Sequence, residues 1–168
     1  LGLRNVISFA KATSSNLIFI STDKAVYPSS VMGMTKRIGE IMVKNDGFVS
    51  VRFANVLGSQ GSVIPIWQKQ VDQGKPLTIT DIRMERYMMS IPQAVELVIK
   101  AAEIGEPGDL IILDPGKPIK IIDLAREIIE KSGRNLSIRE IGVRAGESMS
   151  EQLMTTEEQA KAKKTDGF

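Results

Sequence analysis

Leu17-Ile18-Phe19-Ile20 is apolar at every position and stops abruptly at Ser21-Thr22-Asp23-Lys24. A strand with one wet face alternates polar and apolar residues, so an unbroken run reads as a parallel strand buried on both faces. Its flanks agree with that reading. Leu3, Val6, Ile7 and Ala10 have helical spacing, and Ser14-Ser15-Asn16 turns the chain into the strand. On the other side Pro28-Ser29-Ser30 is an entry to a helix running from 30 or 31 to 44, which Asn45-Asp46-Gly47 ends. Helix, strand and helix in succession are the signature of an α/β fold with a largely parallel sheet.

The rest of the chain keeps this alternation. Strands are expected over 48–53, 77–80, 110–113 and 136–141. Helices are expected over 63–73, over 92–103 with Pro92 in the first turn, over 122–131, and in the charged stretch 150–164. There is no internal repeat and no low-complexity linker.

Composition narrows the chemistry. With 168 residues, 42% of them hydrophobic and 25% charged, the chain is long and apolar enough for a globular domain with a proper core. The 22 basic and 20 acidic side chains are scattered and leave a net charge of only +2, so no nucleic-acid stripe or polybasic membrane patch is expected. A small-molecule partner is. Cys and His are both absent, which removes disulfides, thiol nucleophiles, imidazole acid–base work and most zinc sites, and no metal site is expected. No apolar run approaches the ~20 residues that span a bilayer, and no signal peptide opens the chain, so it reads as cytoplasmic. The first residue is Leu1 rather than Met, which reads as a piece of a longer protein.

Ligands of open parallel sheets sit beyond the carboxyl ends of the strands. Residues 21–24 and Ala54-Asn55-Val56-Leu57-Gly58 follow two such ends and are candidate site loops. No G-x-G-x-x-G occurs, so the phosphate-gripping turn of a dinucleotide fold is missing from this chain. Met32 and Lys36 are four apart and share a helix face. A Tyr at 32 would form a Y-x-x-x-K pair, in which the lysine's charge lowers the phenol's pKa from ~10 and makes it a usable base. A thioether carries no proton. Met32 and Met34 then read as core filler and Lys36 as a solvated helix lysine.

Together, S-T-D-K-A-V, V-M-G-x-T-K-R, V-R-F-A-N-V-L-G-S-x-G-S-V-I-P, R-Y-M-M-S-I-P-Q-A-V-E-L-V and R-A-G-E-S resemble the nucleotide-sugar 4,6-dehydratases of polysaccharide synthesis, members of the extended short-chain dehydrogenase/reductase superfamily. The likeness covers about residues 3–153, in the family's order. It implies a C-terminal part of a Rossmann fold, without the Gly-rich βαβ unit, interleaved with a small α/β substrate-binding subdomain. The implied division is 1–57 for the Rossmann half and 58–168 for the subdomain, with 84–114 returning to the Rossmann sheet. One departure is Arg144-Ala145-Gly146-Glu147, where the family usually has R-P-G-E.

The resemblance also implies a hidden redox cycle on a UDP-amino sugar such as UDP-N-acetylglucosamine. NADP, or NAD, takes hydride from C4, the C5 proton is removed, water leaves C6, and hydride returns to C6. Asp23 is then the acid for the departing hydroxyl and Lys24 the base at C5. Thr22, or less favourably Ser21, bonds the C4 oxygen, and Ser21 counts with Lys36 among the cofactor contacts. Lys36 holds the nicotinamide ribose, Asn5 helps orient that lysine, and Met32 stands where relatives have Tyr. For the base role the Lys24 pKa must fall from ~10.4, which burial and Lys36 favour and Asp23 opposes. A lone Asp-Lys dipeptide is more commonly a trivial surface pair. Tyr27 precedes Pro28 and should be extended.

For the nucleoside diphosphate the implied contacts are Asn55, Ser62, Val63, Thr78, Arg86, Arg144 and Glu147. The glycine-flanked turn before 62 presents a helix N-terminus suited to phosphate, and the arginines suit its oxygens. Each arginine could equally be a surface residue, and Arg52 reads as structural. The full-length parent is expected to be a cytoplasmic homo-oligomer, free or held to the inner membrane face by an N-terminal region. An epimerase or reductase of the same superfamily, or a silent sugar-nucleotide binding module, are the competing readings.

Overall fold

The computed structural model describes residues 2–59, 61–143 and 146–164. In chain order the elements are α1 (Gly2–Ala12), β1 (Ile18–Thr22), a 3₁₀ turn (Asp23–Ala25), α2 (Val31–Asn45), β2 (Val49–Phe53), β3 (Asn55–Val56), α3 (Val63–Asp72), β4 (Leu77–Ile79), β5 (Glu85–Arg86), β6 (Met88–Met89), α4 (Ile91–Ile104), β7 (Leu110–Ile112), β8 (Ile119–Lys120), α5 (Ile121–Ser132), β9 (Ile138–Glu140) and α6 (Thr156–Lys161).

The chain forms two compact units. The first comprises 1–53, 92–114 and 152–168, and the second 54–91 and 115–151. The breaks between the units fall at 53/54, 91/92, 114/115 and 151/152, and the C-terminal stretch from 152 belongs to the first unit. A physical cause is visible in the first unit: fully buried Arg52 on β2 donates to the Leu153 carbonyl and to Glu158 of α6.

In the first unit β1, β2 and β7 form a parallel sheet in that order, with Ile18 opposite Val49 and Val51 opposite Ile111. Val51, Leu97 and Ala101 are buried at its core, packed by Ile18, Phe53 and Ile111. β1 runs on to Thr22, two residues past the apolar run, and it is an edge strand among the described residues. Ile20 is 45% exposed, so the run is not buried on both faces here. Helix α2 starts where Ser30 accepts the Gly33 amide, an N-cap that satisfies a donor the helix cannot. α6 is much shorter than the charged stretch predicts. It begins at a capping box in which Thr155 accepts from the Glu158 amide while the Glu158 carboxylate accepts from the Thr155 amide.

The second unit pairs β3 with β6 and β4 with β9 in parallel, and β5 with β8 antiparallel. The two-residue strands are too short to show a period, and the sequence gives no sign of β5, β6 or β8. Trp67 and Val71 of α3, Leu77 and Ile79 of β4, and Ile121 and Ala125 of α5 make its core. Burial of each large apolar side chain contributes about 1.5–3 kcal/mol. Among the described residues no helix is long and apolar enough to cross a membrane, and no group of acidic side chains could hold a metal ion.

Candidate functional site

The carboxyl end of β1 carries the first cluster of expected residues. Directly after the strand the 3₁₀ turn swings Asp23 inward, where it is 2% exposed. Lys24 Nζ donates to Asp23 Oδ1 at 2.9 Å, and Thr22 Oγ1 donates to the same oxygen at 2.8 Å. The Lys24 side chain keeps 38% of its surface. This is a buried carboxylate with an accessible ammonium on it, not a pair of solvated surface charges.

Glycine makes this packing possible. A Cβ on Gly33 of α2 would lie 2.2 Å from the Lys24 carbonyl oxygen, so only glycine lets the first turn of α2 press against the 3₁₀ turn. Lys36, farther along α2, donates to the Ile20 carbonyl at 2.8 Å and sits 5.0 Å from the Phe19 ring centroid. Its ammonium is thus held at the end of β1, with two of its three hydrogens not used by that bond.

Several expectations change. Ser21 is buried and donates to Glu40 at 2.6 Å, a bond to the interior of its own unit. Thr22 caps the turn and gives its hydrogen to Asp23. Asn5 is exposed on α1 and makes no bond to Lys36. Met32 and Met34 are 47% and 50% exposed, so neither is core filler. Tyr27 is not extended: its φ is +46°, and its hydroxyl bonds Thr156 Oγ1 and accepts from the Thr156 amide. Those two bonds hold its phenol below the ordinary 10.0.

Beneath the β1 loop lies a charge network that sequence reasoning reached only in part. Arg52 grips Glu40 with two parallel bonds of 3.0 and 2.8 Å and reaches Glu158 at 2.9 Å. Arg37 joins both carboxylates, at 3.0 and 2.7 Å. Burial alone would raise the Glu158 carboxyl, but bonds from Arg52, the Thr155 amide and Arg37 outweigh it and hold it at about 2, against an ordinary 4.5. Ser21 connects this network to the Thr22–Lys24 segment through the chain.

The second unit holds a cavity of about 180 Å³. Asn55, Ser62, Val63, Thr78, Arg86 and Glu147 all line it, so the expected substrate contacts within the described residues come together there. Arg144 lies outside the described residues. Whole-ligand pockets measure roughly 300–1,000 Å³, so this space suits one moiety of a larger ligand. Ser62 Oγ is buried on the wall at the start of α3 and has no hydrogen-bond partner among the described residues, a group that a ligand would satisfy. Arg86 differs from a waiting phosphate clamp. Its guanidinium donates to the Ser148, Met149 and Glu85 carbonyls and pairs with Glu151 at 3.3 Å. Glu151 also accepts from Asn55 at 2.6 Å. Sequence reasoning passed over Glu151, three residues beyond the R-A-G-E-S motif, where its acidic side chain was the available signal.

The family model described as polysaccharide biosynthesis protein matches residues 1–168. The chain belongs to the polysaccharide biosynthesis protein family. It is 45% identical to the capsular polysaccharide biosynthesis protein CapD of Staphylococcus aureus, covering 94% of this chain and 28% of CapD. It is 40% identical to a UDP-glucose 4-epimerase of Rickettsia canadensis, covering 96% of this chain and 50% of the epimerase. The chain thus spans half or less of these curated relatives. Among solved structures, Pen from Bacillus thuringiensis superposes with a TM-score of 0.89 at 37% identity, over 95% of this chain and 54% of Pen. The dTDP-glucose 4,6-dehydratase DesIV of Streptomyces venezuelae, solved with NAD, superposes with a TM-score of 0.80 at 16% identity over 95% of this chain and 58% of DesIV, a likeness of fold alone. For this member of the polysaccharide biosynthesis family the architecture is therefore part of a Rossmann-type fold of the extended short-chain dehydrogenase/reductase kind.

Proposed function

We propose that the full-length protein dehydrates a UDP-N-acetylhexosamine, such as UDP-N-acetylglucosamine, to a 4-keto-6-deoxy sugar nucleotide for surface-polysaccharide synthesis. The observation that carries this reading is the Asp23–Lys24 pair at the end of β1, with a thioether at position 32. Eliminating water needs one base and one acid. The resting ion pair differs from a neutral lysine beside a protonated aspartic acid by the shift of one proton across the 2.9 Å bond. Substrate that excludes water favours the neutral pair, because burial penalises charge. Neutral Lys24 takes the C5 proton and becomes an ammonium. Protonated Asp23 gives its proton to the departing C6 hydroxyl, which leaves as water, and the ion pair is restored.

A nicotinamide cofactor, NADP or NAD, supplies reversible hydride acceptance at C4 when bound. The residues at the end of β1 fit its ribose. Lys36 is fixed there by the Ile20 carbonyl and retains ammonium donors for ribose hydroxyls, and its positive charge eases loss of the C4 hydroxyl proton. Within the second unit the cavity suits a nucleotide moiety, with the Glu147 carboxylate able to accept from a ribose diol.

The 40% identity to a UDP-glucose 4-epimerase favours a second reading, in which a UDP-sugar is epimerised at C4. Incubating full-length protein with UDP-N-acetylglucosamine and weighing the product by mass spectrometry separates the two. Loss of one water supports dehydration; an isomer of unchanged mass supports epimerisation and overturns it.

A further inference from the structure

Tyr27 has a backbone that its sequence neighbours do not explain. A residue before proline is pushed towards extended conformations, yet the φ of Tyr27 is +46°, a region that bulky side chains seldom enter. What holds it there comes from the far end of the chain. The Thr156 amide donates to the Tyr27 hydroxyl at 3.0 Å, and Thr156 Oγ1 lies 3.2 Å from the same oxygen, 129 residues away in sequence. Both residues belong to the first unit.

Thr156 is a firm anchor. It opens α6, between the cap residue Thr155 and Glu158. Glu158 accepts from Arg52 at 2.9 Å and from Arg37 at 2.7 Å, and Arg52 also donates to the Leu153 carbonyl at 2.7 Å. Arg52 is fully buried on β2, so residues 153–158 are fastened to the strand beside β1. The Thr156 amide is one of the first-turn donors that a helix leaves without a partner of its own, and the Tyr27 hydroxyl supplies that partner.

Tyr27 lies between the turn that carries Asp23 and Lys24 and the helix that carries Lys36. The connection packs on Gly33, where a Cβ would lie 2.2 Å from the Lys24 carbonyl oxygen and 3.2 Å from Pro28 Cβ. It also closes on itself, with the Val26 amide donating to the Asp23 carbonyl at 2.9 Å. Tyr27, between Val26 and Pro28, ties it to a distant part of the chain.

We infer that Tyr27 is a positioning residue for the proton transfers: its hydroxyl ties residues 24–28 to α6 and keeps Lys24 where it meets Asp23, so that the C-terminal segment sets the geometry of the acid–base pair. The inference rests on reading Asp23 and Lys24 as that pair. Tyr27 acts through the backbone it shares with Lys24. Two neutral hydrogen bonds bias such a connection by roughly tenfold, enough to change a rate without unfolding the unit.

The test is steady-state dehydration of UDP-N-acetylglucosamine by full-length protein, beside hydrogen–deuterium exchange of the peptide covering 22–30. Tyr27→Phe keeps the ring and loses both bonds. It should lower kcat about five- to tenfold while leaving KM within about twofold, and it should speed exchange at 24–28. A contact that served stability alone would lower the unfolding temperature and leave kcat unchanged. Thr156→Pro removes the other side of both bonds and suits α6, because proline fits the first helical position and Thr155 before it is already extended, with φ −72° and ψ 163°. It should lower kcat by the same factor, and the double variant should be no slower than either single one, as the loss of one shared contact requires. Thr156→Ser keeps amide and hydroxyl and should keep the wild-type rate, whereas Thr156→Ala keeps only the amide and should fall between.

Tyr27→Phe with the wild-type kcat would overturn the inference. So would a double variant in which the two losses multiply. If Thr156→Pro does not fold, Tyr27→Phe decides alone. A wild type that does not dehydrate, or a Lys24→Ala variant with normal turnover, removes the acid–base reading and this inference with it. An inactive Lys24→Ala beside a fully active Tyr27→Phe removes the Tyr27 inference alone.

Discussion

Lys24 Nζ lies 2.9 Å from Asp23 Oδ1, a ladder of one carboxylate and one ammonium from adjacent residues, the first buried and the second reaching the surface. Adjacent residues in a strand point to opposite faces, and it is the 3₁₀ turn that lets these two side chains meet. In full-length protein Asp23→Asn and Lys24→Ala should each lower turnover by ~10²- to 10⁴-fold, the contribution of one positioned acid or base. Substrate affinity should move far less. Steady-state kinetics beside calorimetric binding of UDP-N-acetylglucosamine checks this, and near-normal turnover in either variant removes that residue from the proton transfers.

Gly33→Ala places a methyl group against the Lys24 carbonyl, where backbone rather than a flexible side-chain end must give way. A loss of about 1–3 kcal/mol in denaturant unfolding is expected, as for other overpacked sites. Turnover should fall as well, because the shifted segment carries Lys24. Unchanged stability would mean that α2 and the 3₁₀ turn separate easily.

Acid should weaken the first unit through Glu158. Its folded-state pKa of about 2 lies below the ordinary 4.5, so the unfolded chain binds the proton more tightly. The stabilisation is complete above about pH 4.5 and is lost as pH falls towards 2. Glu158→Gln should flatten that part of the stability–pH curve, measured by denaturant unfolding from pH 6 to 2.5, while leaving Arg52 short of a partner and the protein less stable at pH 7. A curve of unchanged slope would assign the acid sensitivity to other carboxylates.

Met32→Leu and Lys36→Ala should part company. Met32 is half exposed, so its replacement should change stability by no more than about 0.5 kcal/mol and turnover only modestly. Lys36→Ala removes a charge held at the end of β1 and should reduce turnover severely. Single-turnover absorbance of the reduced nicotinamide compares the two. Equal loss in a folded, substrate-binding Met32→Leu variant would demand a direct role for the sulfur.

What the sequence determined by itself is local. The helical spacing of residues 3–10 and 31–44, the apolar run before Ser21, and the adjacency of Asp23 and Lys24 each depend on near neighbours, whose geometry secondary structure fixes at 3.6 or 2 residues per period. The residues expected at a nucleotide come from linear motifs, and those of them within the described residues line one cavity. Tertiary structure decided which polar groups were already spoken for. Ser21 is given to Glu40, 19 residues away, and Arg52 to Glu158, 106 residues away. Arg86 and Asn55 share Glu151. A buried charge or hydroxyl must find a partner, but nothing in its own neighbourhood of sequence says which, because the partner is chosen by where the chain returns. The exposure of Met32 and Ile20 has the same origin: their apolar character is local, and the surface that would cover them is not.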